Sequence, residues 1–235
     1  MAIIKERTKA ILEAAVEYFI KTGLPVTSAR LFEAYDFGIK PAMIRCELNE
    51  LGSQGFLEQG HPSGGRRPTH KAYRFFVNDL LEEKKEEKAK ETSKMFSELH
   101  ESFIEGEREA FVEDLSECLG LLGVGYAPRE RHTYQSGLSG LLYQLEEEGR
   151  EEMLSVVRDF EAIADRLERN HWWEEEFSGP RVFIGQSPIT KSPNLSVIAA
   201  QLPSKSGDFL VFAIGPNRMD YQRSIRFFKS MEQLF

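Results

Sequence analysis

Cysteine is scarce in this chain. Its 235 residues hold two thiols, Cys46 and Cys118, 72 positions apart. That spacing offers neither a disulfide framework nor a zinc knuckle, so two free, packed thiols in a reducing cytoplasm are expected. Long apolar runs are missing as well. Nothing approaches the roughly 18–20 residues of a membrane span. The opening MAIIKERTKAIL meets charge too early for a secretory leader, so no membrane association is expected. Basic charge is in deficit, with 30 Lys and Arg against 38 Asp and Glu for a net of −8. Catalytic signatures are absent too: there is no GxSxG, Walker A, GxGxxG or HExxH. His61, His70, His100, His132 and His171 are scattered, and none sits one helical turn from a second ligand. Ser139 is flanked by helix-compatible leucines rather than by a nucleophile elbow. The expectation is a non-enzyme without cofactor or metal.

What is present is uneven. Residues 1–80 carry 11 basic and 9 acidic side chains, whereas residues 81–235 carry 19 and 29. A mildly basic head on an acidic body suggests one segment that faces a polyanion and another kept soluble by its charge.

Within the head, residues 5–21 set Ala10, Ile11, Ala14, Ala15, Tyr18 and Phe19 at helical spacing, and Gly23 and Pro25 stop the helix. Thr27 or Ser28 caps a second helix over about 28–35, with Ala29, Leu31, Phe32 and Tyr35 as its apolar face. Pro41 opens a third helix over 40–54 that buries Ile44, Leu48 and Leu51 and presents Lys40, Met43, Arg45 and Asn49. FLEQ (56–59) and KAYRFFVN (71–78) read as strands around the loop HPSGGRRPT. Tyr73 and Phe75 of the second strand are expected in the core. Three short helices and a strand–loop–strand are the parts of a winged helix-turn-helix, whose third helix enters the major groove.

The rest reads as α+β. LLEEKKEEKAKETSK is almost wholly charged, with Glu86 and Lys90 spaced to pair on a solvated helix. Helical character continues through Phe96, Leu99, Phe103, Phe111, Leu115 and Leu119. LGLLGVGYAP (119–128) turns into a short strand, and residues 136–169 are helical. RVFIGQ, SVIAAQLP and DFLVFAIGP are three β-rich runs, and DYQRSIRFFKSMEQLF is an amphipathic helix. A largely antiparallel sheet with helices on it follows. HWWEEEF (171–177) is either a pair of core anchors or a partner-binding patch.

Several of these stretches, taken in order, resemble one family. KPAMIRCELNELGSQGFLEQGHPSGGRRPTHKAYRFFV (40–77), TYQSGLSGLL (133–142), FIG (183–185) and IGPNRMDY (214–221) are similar to motifs of the HrcA family, bacterial heat-inducible transcription repressors. The resemblance implies a winged-helix domain over 1–80, a connecting helix over 81–110 and a GAF-like α+β domain over 111–235. That last domain would hold an inserted helical dimerisation element. It also implies a cytoplasmic homodimer that binds double-stranded DNA at an inverted-repeat operator before chaperone genes, with chaperonin as a modulating partner. The chain departs from the family in three places. HTSAGR is HPSGGR here, Cys46 follows Ile44-Arg45 where the family has asparagine, and YAPRER runs directly into HTYQSGLSG. The last makes the middle shorter and the dimerisation insert reduced.

The expected DNA-binding residues are Ser28, Lys40, Met43, Arg45, Asn49, His61, Arg66, Arg67 and Thr69. Arg66 and Arg67 are placed on a wing tip, against phosphate or in a neighbouring minor groove, with the neighbouring glycines permitting close approach. Lys40, Ser28 and Thr69 are placed as further phosphate contacts. Arg45 could instead pair with Glu47 or Glu50. The rival reading is a winged-helix protein-interaction module attached to a GAF-like sensor of small molecules.

Overall fold

The computed structural model describes residues 5–61, 64–82, 94–169, 177, 179–204 and 207–232, and the chain divides into two compact units, Met1–Glu82 and Glu83–Phe235. The charged stretch around Glu86 and Lys90, His171 and most of HWWEEEF lie outside the described residues.

The first unit begins with three helices, α1 (Glu6–Thr22), α2 (Ser28–Ala34) and α3 (Pro41–Ser53). Helix α1 ends as its glycine stop predicts, with Gly23 in the left-handed region at φ 68° and its N–H on the Phe19 carbonyl. Thr27 rather than Ser28 caps α2, its hydroxyl accepting from the Arg30 N–H at 3.2 Å. Ile11, Leu12, Leu31, Ile44, Leu48 and Leu51 are fully buried and form the centre of the unit. The face expected for α2 is corrected: Leu31 is buried, but Ala29 and Phe32 are exposed. Seven residues give too few turns to bury a whole side.

A two-stranded antiparallel sheet follows, β1 (Leu57–Glu58) with β2 (Arg67–Pro68), joined in register as Leu57 opposite Pro68 and Glu58 opposite Arg67. KAYRFFVN is not its second strand. It lies in helix α4 (His70–Glu82), which buries Ala72, Tyr73, Phe76 and Val77. Those four fall at i, i+1, i+4 and i+5, a helical stripe that the short tyrosine–arginine–phenylalanine alternation conceals. Tyr73 is in the core as expected, but from a helix. Lys9 on α1 and Asp79 on α4 close the pair with an ion pair of 2.5 Å.

In the second unit, α5 (Lys94–Glu105) and α6 (Arg108–Leu119) are separate helices. Gly106, at φ 86°, breaks what the apolar spacing reads as one. The sheet has five antiparallel strands in the order β4 (His132–Ser136), β3 (Leu122–Ala127), β7 (Phe209–Pro216), β6 (Leu195–Leu202) and β5 (Arg181–Ile184). The three C-terminal strands match the three β-rich runs. Strand β4 overlaps the start of the motif TYQSGLSGLL and pairs with β3 across the short turn at 128–131.

Helices lie on both faces. Helices α7 (Leu138–Gln144) and α8 (Arg150–Arg169) pack through Leu141, Val156 and Ile163 on the face holding Val124, Val197 and Phe212. On the opposite face Phe103 and Phe111 meet Phe209 of β7, and Tyr221 of α9 (Tyr221–Glu232) donates its hydroxyl to Ser196 Oγ at 2.7 Å. The alternation leaves Gly123 and Gly125 under α6. A Cβ on Gly123 would stand 2.8 Å from the Val112 carbonyl oxygen, so glycine lets helix and strand approach.

Cys118 is buried and Cys46 exposed, both as free thiols, so only Cys118 is packed. Burial raises the Cys118 thiol above its ordinary range, against a smaller lowering by Arg223. No helix among the described residues is long and apolar enough to cross a membrane.

Candidate nucleic-acid interface

Helix α3 starts on Pro41, which has no N–H to leave unsatisfied, and Lys40 at the N-cap makes no side-chain cap bond. Its buried side is Ile44, Glu47, Leu48 and Leu51. The opposite side exposes Ala42, Cys46, Asn49 and Ser53, one above the other at helical spacing, with Arg45 on one flank and Met43 and Glu50 on the other. Lys40, Met43, Arg45 and Asn49 therefore all lie on the solvent side of one unit, as the sequence predicts. Arg45 forms no ion pair with Glu47 or Glu50. Glu47 is turned inward to Arg7 and Thr8, and Glu50 accepts from Gln54 at 3.1 Å.

Glu47 is the charged residue that periodicity places in an apolar phase, and its carboxylate is satisfied. The Arg7 guanidinium gives Oε1 two bonds, and the Thr8 hydroxyl bonds Oε2. Burial would raise its pKa; the Thr8 bond and then Arg7 outweigh it and hold the carboxyl below the usual carboxylate range. A glutamate between Ile44 and Leu48 is itself the signal that such a partner exists.

The two adjacent arginines separate. Arg67 is exposed opposite Glu58, and its guanidinium forms no ion pair among the described residues. Arg66 is not on the loop tip. Its backbone N–H and carbonyl both bond Val26, at 2.8 and 2.7 Å, and its Nη2 donates to Asn49 Oδ1. Gly65 beside it is required by the fold, since a Cβ there would lie 2.8 Å from Pro25 and from the Val26 carbonyl oxygen. The close approach that glycine permits is to the chain's own Pro25-Val26 segment. His61 is exposed and borders, with Pro25, Glu58, Gly64 and Arg67, an open groove beside the hairpin.

Two expected phosphate ligands are corrected. Ser28 is buried at 8% exposure, in the first turn of α2 against the core. The Thr69 hydroxyl donates to the carbonyls of Gly55 (2.7 Å) and Phe56 (3.1 Å), closing the hairpin base onto the end of α3. Lys71 reinforces that closure by donating to the Gln54 carbonyl at 2.6 Å, over the Phe56 ring. The causes differ: Ser28 is withdrawn by its place on the inner side of α2, and the Thr69 hydroxyl is spent on backbone carbonyls where the hairpin ends.

Among the described residues no group of His, Cys, Asp or Glu could hold a metal ion. The first unit thus presents Lys40 and Arg45 as exposed cations on α3 and Arg67 as another on the hairpin, and the second unit is α+β with an antiparallel sheet.

The sequence model described as "HrcA protein C terminal domain" matches residues 68–225, and the chain belongs to that family. A relative named heat-inducible transcription repressor HrcA from Desulforudis audaxviator is 46% identical over 79 residues, 34% of this chain and 23% of that protein. One of the same name from Desulfitobacterium hafniense is 40% identical over 100 residues, 40% of this chain and 29% of that protein. The matched stretches thus span about a quarter of these relatives' length. A crystal structure of a hypothetical protein, at 2.2 Å resolution, superposes with a TM-score of 0.79 at 17% identity, covering 99% of this chain and 97% of that one. That likeness is one of fold.

Proposed function

We propose that the first unit is a winged-helix DNA-binding module, that the second is a GAF-like domain with a reduced helical dimerisation insert, and that the protein is a heat-inducible transcription repressor. Helix α3 is its recognition helix and the β1–β2 hairpin its wing. The observation that carries this reading is the solvent face of α3. It combines small central side chains that allow close approach with Lys40 and Arg45 as cations for phosphate, and the hairpin of the same unit adds the exposed Arg67. The printed names of the relatives, heat-inducible transcription repressors, support the same reading.

As a cytoplasmic homodimer the protein meets two half-sites on one side of the duplex, so its operator is an inverted repeat before chaperone genes. Chaperonin modulates it. His61 and Met43 stand at the margins of the DNA surface, while Lys40, Arg45, Asn49 and Arg67 contribute most to it.

The test is fluorescence anisotropy with an inverted-repeat chaperone-promoter fragment across a salt series, with and without chaperonin. Log affinity should fall by about 0.9 per log unit of salt for each phosphate neutralised. A flat response refutes the reading. A second reading, a protein-docking module joined to a small-molecule sensor, draws on the exposed Leu24 and Phe32 of the same unit, at 47% and 50% exposure. It predicts salt-insensitive capture of a protein and no duplex binding.

A further inference from the structure

We propose that Arg66 is a positioning residue that fixes the orientation of the Asn49 amide, so that Asn49 meets DNA as a hydrogen-bond donor. This rests on the DNA-binding reading above and names the base chemistry that α3 selects. Arg66 is anchored at its backbone by the paired bonds to Val26, so it does not move independently with the loop. Its side chain runs back over α3, with Nε 3.8 Å from where a Cβ on Gly52 would stand and Nη2 on Asn49 Oδ1.

A guanidinium has N–H donors and no acceptor, so only the amide oxygen of Asn49 can face it. The usual ambiguity of an asparagine flip is therefore removed by chemistry. An asparagine free to turn reads adenine by donating to N7 while accepting from the N6 amino group. Here one oxygen lone pair is occupied, and the cation beside it opposes a second approaching donor. What Asn49 offers from its exposed position is the NH₂ group. Its complement in the major groove is an acceptor edge: guanine N7 and O6 foremost, then thymine O4, while adenine offers N7 alone and leaves its N6 amino group unmatched. Arg66 itself is left with little freedom to clamp a phosphate, and that role falls to Arg67.

The test is selection from a pool of short duplexes with randomised half-sites, using the full chain and its variants, with melting curves as a check on folding. The wild type should prefer an acceptor base at one position of each half-site. Asn49→Ala should erase that preference, about two- to tenfold. Asn49→Asp retains an acceptor for Arg66 but replaces the donor, and should transfer the preference to cytosine, whose N4 donates. Arg66→Ala should raise adenine relative to guanine at that position, by freeing the amide oxygen for the N6 amino group, and adding it to Asn49→Ala should leave the base profile unchanged. If Arg66→Ala weakens all sequences alike and reduces the salt dependence, Arg66 is a backbone clamp and the proposal fails while DNA binding stands. If the wild type binds no duplex in a salt-dependent way, the DNA-binding reading fails and takes this proposal with it.

Discussion

Glu47 accepts both Nε and Nη2 of Arg7 on one carboxylate oxygen, at 2.9 and 2.5 Å, and the Thr8 hydroxyl on the other, at 2.7 Å. A buried charge from the inner side of α3 is thereby tied to the first turns of α1. Leu48 and Ile44 could tolerate a small rotation of α3; this constellation cannot, because its bonds are directional. The rotation of α3 decides which side chains face outward, so an inward contact sets the outward surface.

The pH dependence follows from that contact. Glu47 has its pKa lowered in the folded state, so its stabilisation is present above the unfolded carboxylate value and is lost as pH falls through the lowered one. Glu47→Gln should cost about 1–3 kcal/mol near neutrality, and the gap to wild type should begin to narrow as pH falls past the ordinary glutamate value of about 4.3 and close only below the lowered folded one. Hydrogen exchange of α1 and α3 amides in the full chain across that range measures it. A gap independent of pH would refute the assignment.

Arg67 and Thr69 should fail in opposite ways. Arg67→Ala should reduce the salt slope of DNA binding by about 0.9 and leave stability within about 0.5 kcal/mol. Thr69→Val should cost about 1 kcal/mol of stability, through the lost bonds to Gly55 and Phe56, with the slope unchanged. Salt titrations paired with thermal melts separate the two.

Gly123 and Gly140 form a second contrast. A Cβ on Gly123 would meet the Val112 carbonyl oxygen at 2.8 Å, whereas one on Gly140 meets nothing within 4 Å. Gly123→Ala should destabilise by about 1–3 kcal/mol, because α6 must shift off the sheet. Gly140→Ala, inside α7, should be neutral or stabilising by up to about 1 kcal/mol. Equal melting shifts for both would contradict the packing described.

Asp159 holds the loop before β6 onto α8. One oxygen accepts from Arg166 at 2.6 Å, and the other from the backbone N–H groups of Lys191 and Ser192 at 2.8 and 2.9 Å. Asp159→Ala leaves a mostly buried guanidinium and two N–H groups without that acceptor, and should cost about 3–5 kcal/mol. Exchange protection at Lys191 and Ser192 should fall together with the melting temperature. Retained protection would show that the loop is held by other means.

Residues 40–54 show what local reading can reach. Proline at the helix start and apolar residues at turn spacing locate α3 and its buried side, because both signals are carried by neighbours in the chain. The same logic misleads at KAYRFFVN. There, three alternating residues suit a strand and the longer stripe through Val77 suits a helix; packing against α1 selects the helix.

The sequence alone determined the order of helices and strands through most of the chain, the antiparallel run of C-terminal strands, the outward residues of α3 and the family likeness. All of these depend on spacing within a few turns or on ordered motifs. Only the tertiary structure decided that Glu47 belongs to Arg7, that Thr69 closes a turn, and that the two adjacent arginines part, one to Asn49 and one to solvent. Those partners lie 13 to 40 positions apart. A polar side chain's partner over such distances is set by which elements the core brings together, and no local pattern records it.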